Sequence, residues 1–476
     1  MTAFDPSTTL DLAGIGIGPA NLSLAALAQP RPGLRAAWFE RRTAFRWHPG
    51  LLIEGTTLQV PFLADLVTLA DPTSPWSFLN YLRHQQRLYP FYVAERFHAP
   101  RAEYDAYCRW AADRLPGLHF GHRVESVRWD EERAVFELDL ARVGSEAGEP
   151  LAAGRVRARN LALGIGTAPF VPEPLRPLLA SSTSAVPVLH SADYLAHRDS
   201  LLAAEHVTVV GSGQSGAEVF LDLLRRRPAG RERLHWITRT PAFAPMEYSK
   251  LGLEHFTPDY TRYFHALPEP VRDRLVAGQW QLYKAIDHET LAAIHDELYR
   301  RTVDGGWPDA VLTPGVSVRT AGRVGAAQIE LHLEHGEQGE RSRLRTGALV
   351  LATGYRERSA ERLLAALEPA LLRDEAGRPR VDERYRLALD PAVTGAVYVQ
   401  NAERHTHGVG APDLGLVAHR AAAILNDLLG EEWYPLPART AFTTFGLPRQ
   451  DARGKVSPGR APGSFPPAAE ALAHRP

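Results

Sequence analysis

Two glycine-rich turns carry the most legible chemistry in this chain: Asp11-Leu-Ala-Gly-Ile-Gly-Ile-Gly-Pro-Ala-Asn21 and Val207-Thr-Val-Val-Gly-Ser-Gly-Gln-Ser-Gly216. Each follows a short apolar run and opens a stretch of helical spacing, Leu22 to Ala28 and Ala217 to Leu224. In that strand-turn-helix context, glycines such as Gly14, Gly16 and Gly18, or Gly211 and Gly213, let the backbone approach a pyrophosphate. The phosphate charge then lies on the helix N-terminus. One such fingerprint is weak evidence. Two in context imply two dinucleotide cofactors and electron transfer between them.

The strands that position the turns also carry cofactor signals. Glu40 closes the run Trp38-Phe39 beyond the first turn, where an acid takes ribose hydroxyls, which fits FAD. Beyond the second turn, Leu234-His-Trp-Ile-Thr-Arg-Thr240 carries Arg239 and no acid. A guanidinium there favours a 2′-phosphate, and so NADPH over NADH. The alternative is that Glu40 and Arg239 are solvated strand ends.

The expected fold is α/β, with two Rossmann-like dinucleotide-binding domains and a mainly helical substrate-side insertion. A discontinuous FAD domain is expected at 1–200 and 356–440, and an NADPH domain at 201–245 and 303–355. The helical insertion spans 246–302, where Pro270-Val-Arg-Asp-Arg-Leu-Val and Glu289 to Arg301 have helical spacing. Residues 448–476, rich in Pro, Ala, Gly and Arg, read as a disordered tail. With 476 residues and 45% hydrophobic content, the chain has ample core for two or three domains. A net charge of -1 argues against nucleic acid as the main partner. The single cysteine, Cys108, excludes a disulfide framework, a thiolate metal site and a redox cysteine pair. No signal peptide or run of 18 apolar residues stands out, so no membrane association and a cytoplasmic location are expected.

The chain resembles the microbial N-hydroxylating flavin monooxygenases, which hydroxylate the terminal amine of lysine, ornithine or aliphatic diamines for hydroxamate siderophores. The resemblance runs to about residue 430. It rests on Gly14-Ile-Gly-Ile-Gly-Pro-Ala-Asn21, Phe45-Arg-Trp-His-Pro-Gly50, Leu58-Gln-Val-Pro-Phe-Leu-Ala-Asp-Leu66, Asp71-Pro-Thr-Ser-Pro75, Gly211-Ser-Gly-Gln-Ser-Gly-Ala-Glu218, Ala352-Thr-Gly-Tyr355 and Thr406-His-Gly408. It implies FAD contacts from Asn21, the run Glu40 to His48 with Trp47, Gln59, Pro412, Asp413 and Leu414. Ser212, Gly213, Gln214, Ser215 and Arg239 would bind NADPH. Without the motif, His48 reads as a core histidine and Gln59 as a polar strand end; within Trp47-His-Pro-Gly50 and Leu58-Gln59 the cofactor reading is preferred. The implied chemistry is reduction of FAD by NADPH, addition of O2 at the flavin C4a as a hydroperoxide, and attack by a free amine. The catalytic base is unknown; Gln59 and Asn401 are polar groups that could orient amine or cofactor. The resemblance also implies a homo-oligomer, commonly a tetramer.

Substrate choice turns on a departure from the family pattern. Amino-acid hydroxylases of the family generally carry a lysine, paired with the substrate α-carboxylate, where this chain has Ala64 in Phe62-Leu-Ala-Asp-Leu-Val67. Losing one partner of a desolvated charge pair costs about 3 to 5 kcal/mol. Leu253 replaces an asparagine before Glu254-His-Phe256, and Gly415 replaces a serine. A diamine such as cadaverine or putrescine fits a pocket stripped of carboxylate contacts, and the chain looks most like the diamine members of desferrioxamine-type pathways. Its distal ammonium could be held by Glu254, Tyr248, Trp280 or Tyr283. Lys284 could replace the missing cation, which keeps L-lysine, or L-ornithine, as the alternative; otherwise it is a solvated helix residue.

Other templates fit poorly. His405-Thr-His407 lacks a third ligand at suitable spacing, so no metal is expected. Gly213-Gln-Ser-Gly-Ala217 departs from a nucleophile elbow. A flavin disulfide reductase would need a cysteine pair, and a non-hydroxylating flavin electron-transfer protein would bind FAD without forming amine-dependent product.

Overall fold

The computed structural model describes residues 8–143, 150–182, 185–450 and 456–457. The first sheet contains β1 (Thr9–Ile15), β2 (Ala36–Glu40), β3 (Leu118–Phe120), β4 (His122–Asp130), β5 (Val135–Val143) and β6 (Pro150–Leu163), in the order β3-β2-β1-β6-β5-β4. β1 pairs in parallel with β2 and β6, while β4 and β5 return onto β6 as an antiparallel meander. The last four residues of β1 are buried, as a strand covered on both faces requires. The helix Pro19–Ala28 is buried from Asn21 to Ala28 and packs against the helix Val417–Leu429. It is apolar on all sides apart from Asn21 and Ser23, because it is enclosed by sheet and helix.

The chain leaves this sheet through β7 (Thr167–Pro169) and enters a second, parallel sheet at β8 (Val188–His190). That sheet adds β9 (Val207–Val210), β10 (Leu234–Ile237) and β11 (Ala310–Thr313). A three-stranded antiparallel layer follows: β12 (Val316–Val324), β13 (Gln328–His335) and β14 (Arg341–Thr346). β15 (Ala348–Leu351) completes the order β11-β10-β9-β15-β8. β16 (Tyr355–Glu357) then pairs antiparallel with β7, so the outgoing and returning crossings lie side by side. β17 (Val397–Val399) rejoins the first sheet beside β6.

Two expected boundaries shift. Residue 200 is too late a start for the second unit, because β8 pairs with β15, and Tyr194 and Leu201 lie in the second core. The expected 246–302 insertion divides. Its last helix, His288–Arg300, buries Ile294 in the second core, whereas Tyr260, Phe264 and Leu282 pack with Val409 of the first unit. Periodicity identifies a helix but not the sheet it covers. The helix expected at Leu414 begins as a tight turn, Leu414–Leu416, before the α-helix proper. The expected tail lies outside the described residues except for 448–450 and 456–457, where Arg449–Gln450 pairs with Val456–Ser457.

Candidate functional site

Side chains at the first turn explain why its glycines differ in purpose. A Cβ on Gly14 would overlap the Trp38 indole, and one on Gly16, at φ +89°, would overlap the Gly164 carbonyl oxygen. A Cβ on Gly18 would meet nothing within 4 Å. The first two serve packing and turn geometry; the third borders open space at an N-terminus without side-chain cap. Its unpaired N–H groups and dipole suit a pyrophosphate. Glu40 is tied to this turn, its Oε2 accepting from Ile17 N (3.0 Å) and its Oε1 from Arg42 N (2.9 Å). Carboxylate oxygens keep further acceptor capacity for ribose hydroxyls.

The Asn21 side chain is engaged within the protein. Its buried Nδ2 donates to the carbonyls of Ile15 (3.2 Å), Gly16 (2.8 Å) and Ala162 (3.2 Å), and its Oδ1 accepts from Gln400 Nε2 (2.6 Å). The amide braces the turn from behind, which leaves the Asn21 backbone N–H, in the first turn of the helix, as its group open to a cofactor.

The segment after β2 wraps across both units. Trp47 N donates to Asp105 Oδ1 at 2.8 Å, and the Trp47 ring meets His48 and Tyr104 edge-on. His48 adopts φ +45°, and its ring stands against Tyr355 at 5.5 Å. Burial, aided by the Arg101 and Arg42 charges, holds the His48 imidazole at about 4, so it is neutral at physiological pH. A Cβ on Gly50 would overlap the Ala192 carbonyl, so glycine permits this close approach of the second unit. Gln59 donates to Thr57 O (3.0 Å), and its carbonyl accepts from Tyr248 Oη (3.3 Å). This contact brings the 246–249 segment over the 58–66 segment.

Residues 401–415 form the returning wall. Asn401 has φ +64°, two residues beyond the end of β17. Pro412 is exposed, and Leu414 packs against the first core. Asp413 Oδ1 accepts from Gly415 N at 2.7 Å; burial pushes its carboxyl up to about 6, against the pull of that N–H and of Arg420. A Cβ on Gly415 would stand 2.8 Å from Asp413 Oδ1, so glycine accommodates this cap. His405 and His407 lie on a short helix, where His405 Nε2 bonds Pro379 O and His407 Nδ1 bonds Thr406 Oγ1.

The second turn has the same logic as the first. Gly211, at φ +119°, faces the Ala352 carbonyl, and Gly216 faces Gly211 O, both too close for a Cβ. Gly213 begins the helix Gln214–Arg226 without a side-chain cap. Ser215 is half-buried in its first turn. Ser212 and Gln214 differ from expectation. Ser212 Oγ shares hydrogen bonds with Thr240 Oγ1 (2.7 Å) and Thr238 Oγ1 (3.0 Å). Gln214 Nε2 donates to Glu218 (3.0 Å) and Thr290 (3.0 Å), while its Oε1 accepts from Asp287 N (2.8 Å). Both side chains thus have protein partners, and their backbones stand beside them at the turn for a phosphate. β10 ends at Ile237, not Thr240, because the Thr238, Thr240 and Ser212 hydroxyls close a turn that leaves Arg239 exposed.

Three substrate candidates are relocated. Glu254 accepts from Phe442 N and Thr443 N (both 2.8 Å) and from Thr443 Oγ1, so its carboxylate fastens the 442–443 segment onto the insertion. Leu253 is 39% exposed on a helix that buries none of its residues. Lys284 lies beside the second turn: its carbonyl is 3.5 Å from a Cβ on Gly213. Burial, then the Arg404 and Arg239 charges, hold its ammonium below the usual lysine range. Tyr283 donates to Val276 O and carries Lys284 and Arg404 on its ring. Trp280 is half-buried beside it.

Ala64 is 4% exposed, and neighbouring Asp65 is fully engaged. The Asp65 carboxylate accepts from Val67 N (2.9 Å), Thr68 N (2.7 Å), Thr68 Oγ1 (2.7 Å) and Phe78 N (2.6 Å). Two residues at this junction, Arg101 and Asp105, carry no local motif and are legible only through contacts distant in sequence. No group of three or more His, Cys, Asp or Glu suited to a metal occurs among the described residues, and none of their helices is long and apolar enough to cross a membrane.

Comparison with known proteins bears directly on this geometry. The family described as L-lysine 6-monooxygenase/L-ornithine 5-monooxygenase matches residues 8–357. The rhizobactin siderophore biosynthesis protein RhbE of Rhizobium meliloti is 44% identical, over 94% of this chain and 98% of its own. The putrescine N-hydroxylase of Shewanella oneidensis is 39% identical, over 92% and 84%. The FAD-bound crystal structure of DfoA, the cadaverine monooxygenase of desferrioxamine biosynthesis from Erwinia amylovora, superposes with a TM-score of 0.86 at 38% identity, covering 94% of this chain and all of that one. With both glycine turns, the two sheets and this match over most of its length, the chain belongs to the L-lysine 6-monooxygenase/L-ornithine 5-monooxygenase family of FAD- and NADPH-dependent N-hydroxylating enzymes.

Proposed function

We propose that this enzyme hydroxylates one terminal amine of an aliphatic diamine, cadaverine or putrescine, in an early step of hydroxamate siderophore synthesis. The observation that carries the reading is Ala64, buried where amino-acid hydroxylases of the family place a lysine for the substrate carboxylate. The alternative cation, Lys284, stands with Arg239 and Arg404 at the nucleotide turn, which weakens the case for L-lysine. Relatives named for putrescine and cadaverine support the diamine reading.

FAD held here would supply a hydride acceptor for NADPH and a site of O2 activation, so that one oxygen atom of O2 would pass to the amine nitrogen and the other leave as water. The protein's part is binding, orientation and dryness. The N-termini at Gly18 and Gly213 hold the two pyrophosphates, and Glu40 takes ribose hydroxyls. An alkylamine with a pKa near about 10.4 must arrive unprotonated, and burial favours that neutral form. Gln59 and Asn401 are the polar groups assigned to orient it. Glu254 is already engaged and the Tyr283 ring carries the protein's own cations, which leaves Tyr248 and Trp280; Tyr248, bound to the Gln59 carbonyl, stands against the 58–66 segment and is the leading aromatic anchor for the distal ammonium. A homo-oligomer, tetrameric as the family resemblance suggests, working in the cytoplasm completes the proposal.

The deciding experiment measures hydroxylamine formation and NADPH oxidation by FAD-loaded protein with cadaverine, putrescine, L-lysine and L-ornithine. Product from a diamine, with little from either amino acid, is expected. Product chiefly from L-lysine overturns the reading, as does NADPH oxidation with no hydroxylamine from any amine. Arg239→Ala should raise KM for NADPH by about tenfold or more, because a charge-assisted contact contributes about 1.5–3 kcal/mol. The KM for NADH should be nearly unchanged, and parallel steady-state titrations of both nucleotides check it.

A further inference from the structure

One buried ion pair joins the two nucleotide-binding units. Arg101 opens the helix Arg101–Ala112 of the first, and Glu218 lies on the helix Gln214–Arg226 of the second. Arg101 Nη1 donates to Glu218 Oε2 at 2.8 Å and Nη2 to Oε1 at 2.7 Å, with the side chains only 9% and 4% exposed. The same guanidinium donates to Leu51 O (3.1 Å) and Thr57 O (3.5 Å). It therefore gathers both ends of the loop between His48 and Gln59. From the other side, Glu218 Oε1 also accepts from Gln214 Nε2, the residue that follows Gly213 in the second turn. An unbroken chain of polar contacts thus runs from the FAD-side loop to the NADPH turn.

A two-point guanidinium–carboxylate fork sets rotation as well as distance, which a single-point ammonium cannot do. Burying such a pair carries a large desolvation cost, so simple cohesion is a poor reason for one; an apolar contact would hold two surfaces as well. Nearby Glu54 pairs with Arg198 and Arg226, but its side chain is 64% exposed, and solvent-exposed pairs contribute little. We propose that Arg101–Glu218 is a positioning latch that holds the NADPH-binding unit at the angle needed for hydride transfer to FAD. The inference rests on the family's two-cofactor chemistry and is independent of which amine is hydroxylated. A small misplacement of reacting atoms can cost about a hundredfold in rate, so an angular error between units acts on reduction rather than on nucleotide binding.

The test combines geometry and kinetics. Cys108 is fully buried, so spin labels at Glu131→Cys and Glu337→Cys, in exposed turns of the first unit and of the antiparallel layer beside the second sheet, report the angle between units by pulsed electron resonance. Glu218→Gln and Arg101→Lys are placed in that background as FAD-loaded protein. Each should broaden or shift a distance distribution that is narrow in the parent. Flavin reduction at saturating NADPH should slow by about tenfold or more. NADP+ affinity should change by less than about threefold, a difference of under about 0.7 kcal/mol. An unchanged distribution with slow reduction would make Arg101 a direct contact of the reacting groups and overturn the latch. A broadened distribution with normal reduction would overturn its role in hydride transfer. Arg101→Lys keeps the charge, so it supplies the answer if Glu218→Gln fails to fold.

Discussion

Ala64→Lys is expected to lower kcat/KM for cadaverine and putrescine by about a hundredfold or more, because a desolvated cation without a partner costs about 3–5 kcal/mol. The new ammonium would lie in a buried position beside Asp65. Asp65 cannot neutralise it without giving up bonds to Val67, Thr68 and Phe78 that shape the segment. It would therefore repel the distal ammonium of a bound diamine. A carboxylate-bearing substrate would gain a partner, so the ratio of L-lysine to cadaverine turnover should rise. Hydroxylamine assays with both amines, alongside Ala64→Met as a charge-free variant of similar length, separate charge from bulk. Equal losses in the lysine and methionine variants would remove the charge argument for a diamine.

Gly16→Ala should nearly abolish FAD retention, whereas Gly18→Ala should leave a stable protein with weakened FAD affinity. At Gly16 the methyl group meets the Gly164 backbone, and φ is +89°. Left-handed strain of about 1–2 kcal/mol and overpacking of about 1–3 kcal/mol add at a turn fixed by Gly16 N to Phe39 O and Gly164 N to Ile15 O. At Gly18 the backbone is ordinary, and the methyl group would project into the open space proposed for the pyrophosphate. Thermal unfolding and the flavin-to-protein absorbance ratio after purification distinguish the two. Equal FAD retention and equal melting in both variants would contradict the division of labour between these glycines.

Much of the cofactor architecture was readable from local pattern. The apolar run before Gly14, the glycine spacing and the acid at Glu40 are set by neighbours along the chain, and the parallel register of β1 with β2 follows from them. Arg239 was expected at the end of a strand reaching Thr240, but β10 stops at Ile237 and leaves Arg239 in the turn that follows. Side chains with more than one available partner were less legible. Asn21 and Gln214 sit inside the expected motifs, yet their amides face protein groups supplied by Ala162, Gln400, Asp287 and Thr290. Glu254 resembled an ammonium anchor until Phe442 and Thr443 arrived to occupy it.

By itself, then, the sequence determined the two dinucleotide turns, the cofactor pairing and the absence of a lysine at position 64, since each depends on residue type and short-range spacing. The tertiary structure alone decided that Lys284 joins the nucleotide turn, that His288–Arg300 covers the second sheet, and that Arg101 meets Glu218 across the two units. Those outcomes depend on which distant segments exclude water from a polar side chain. Desolvation and partner geometry are properties of the packed chain, and no local spacing encodes them.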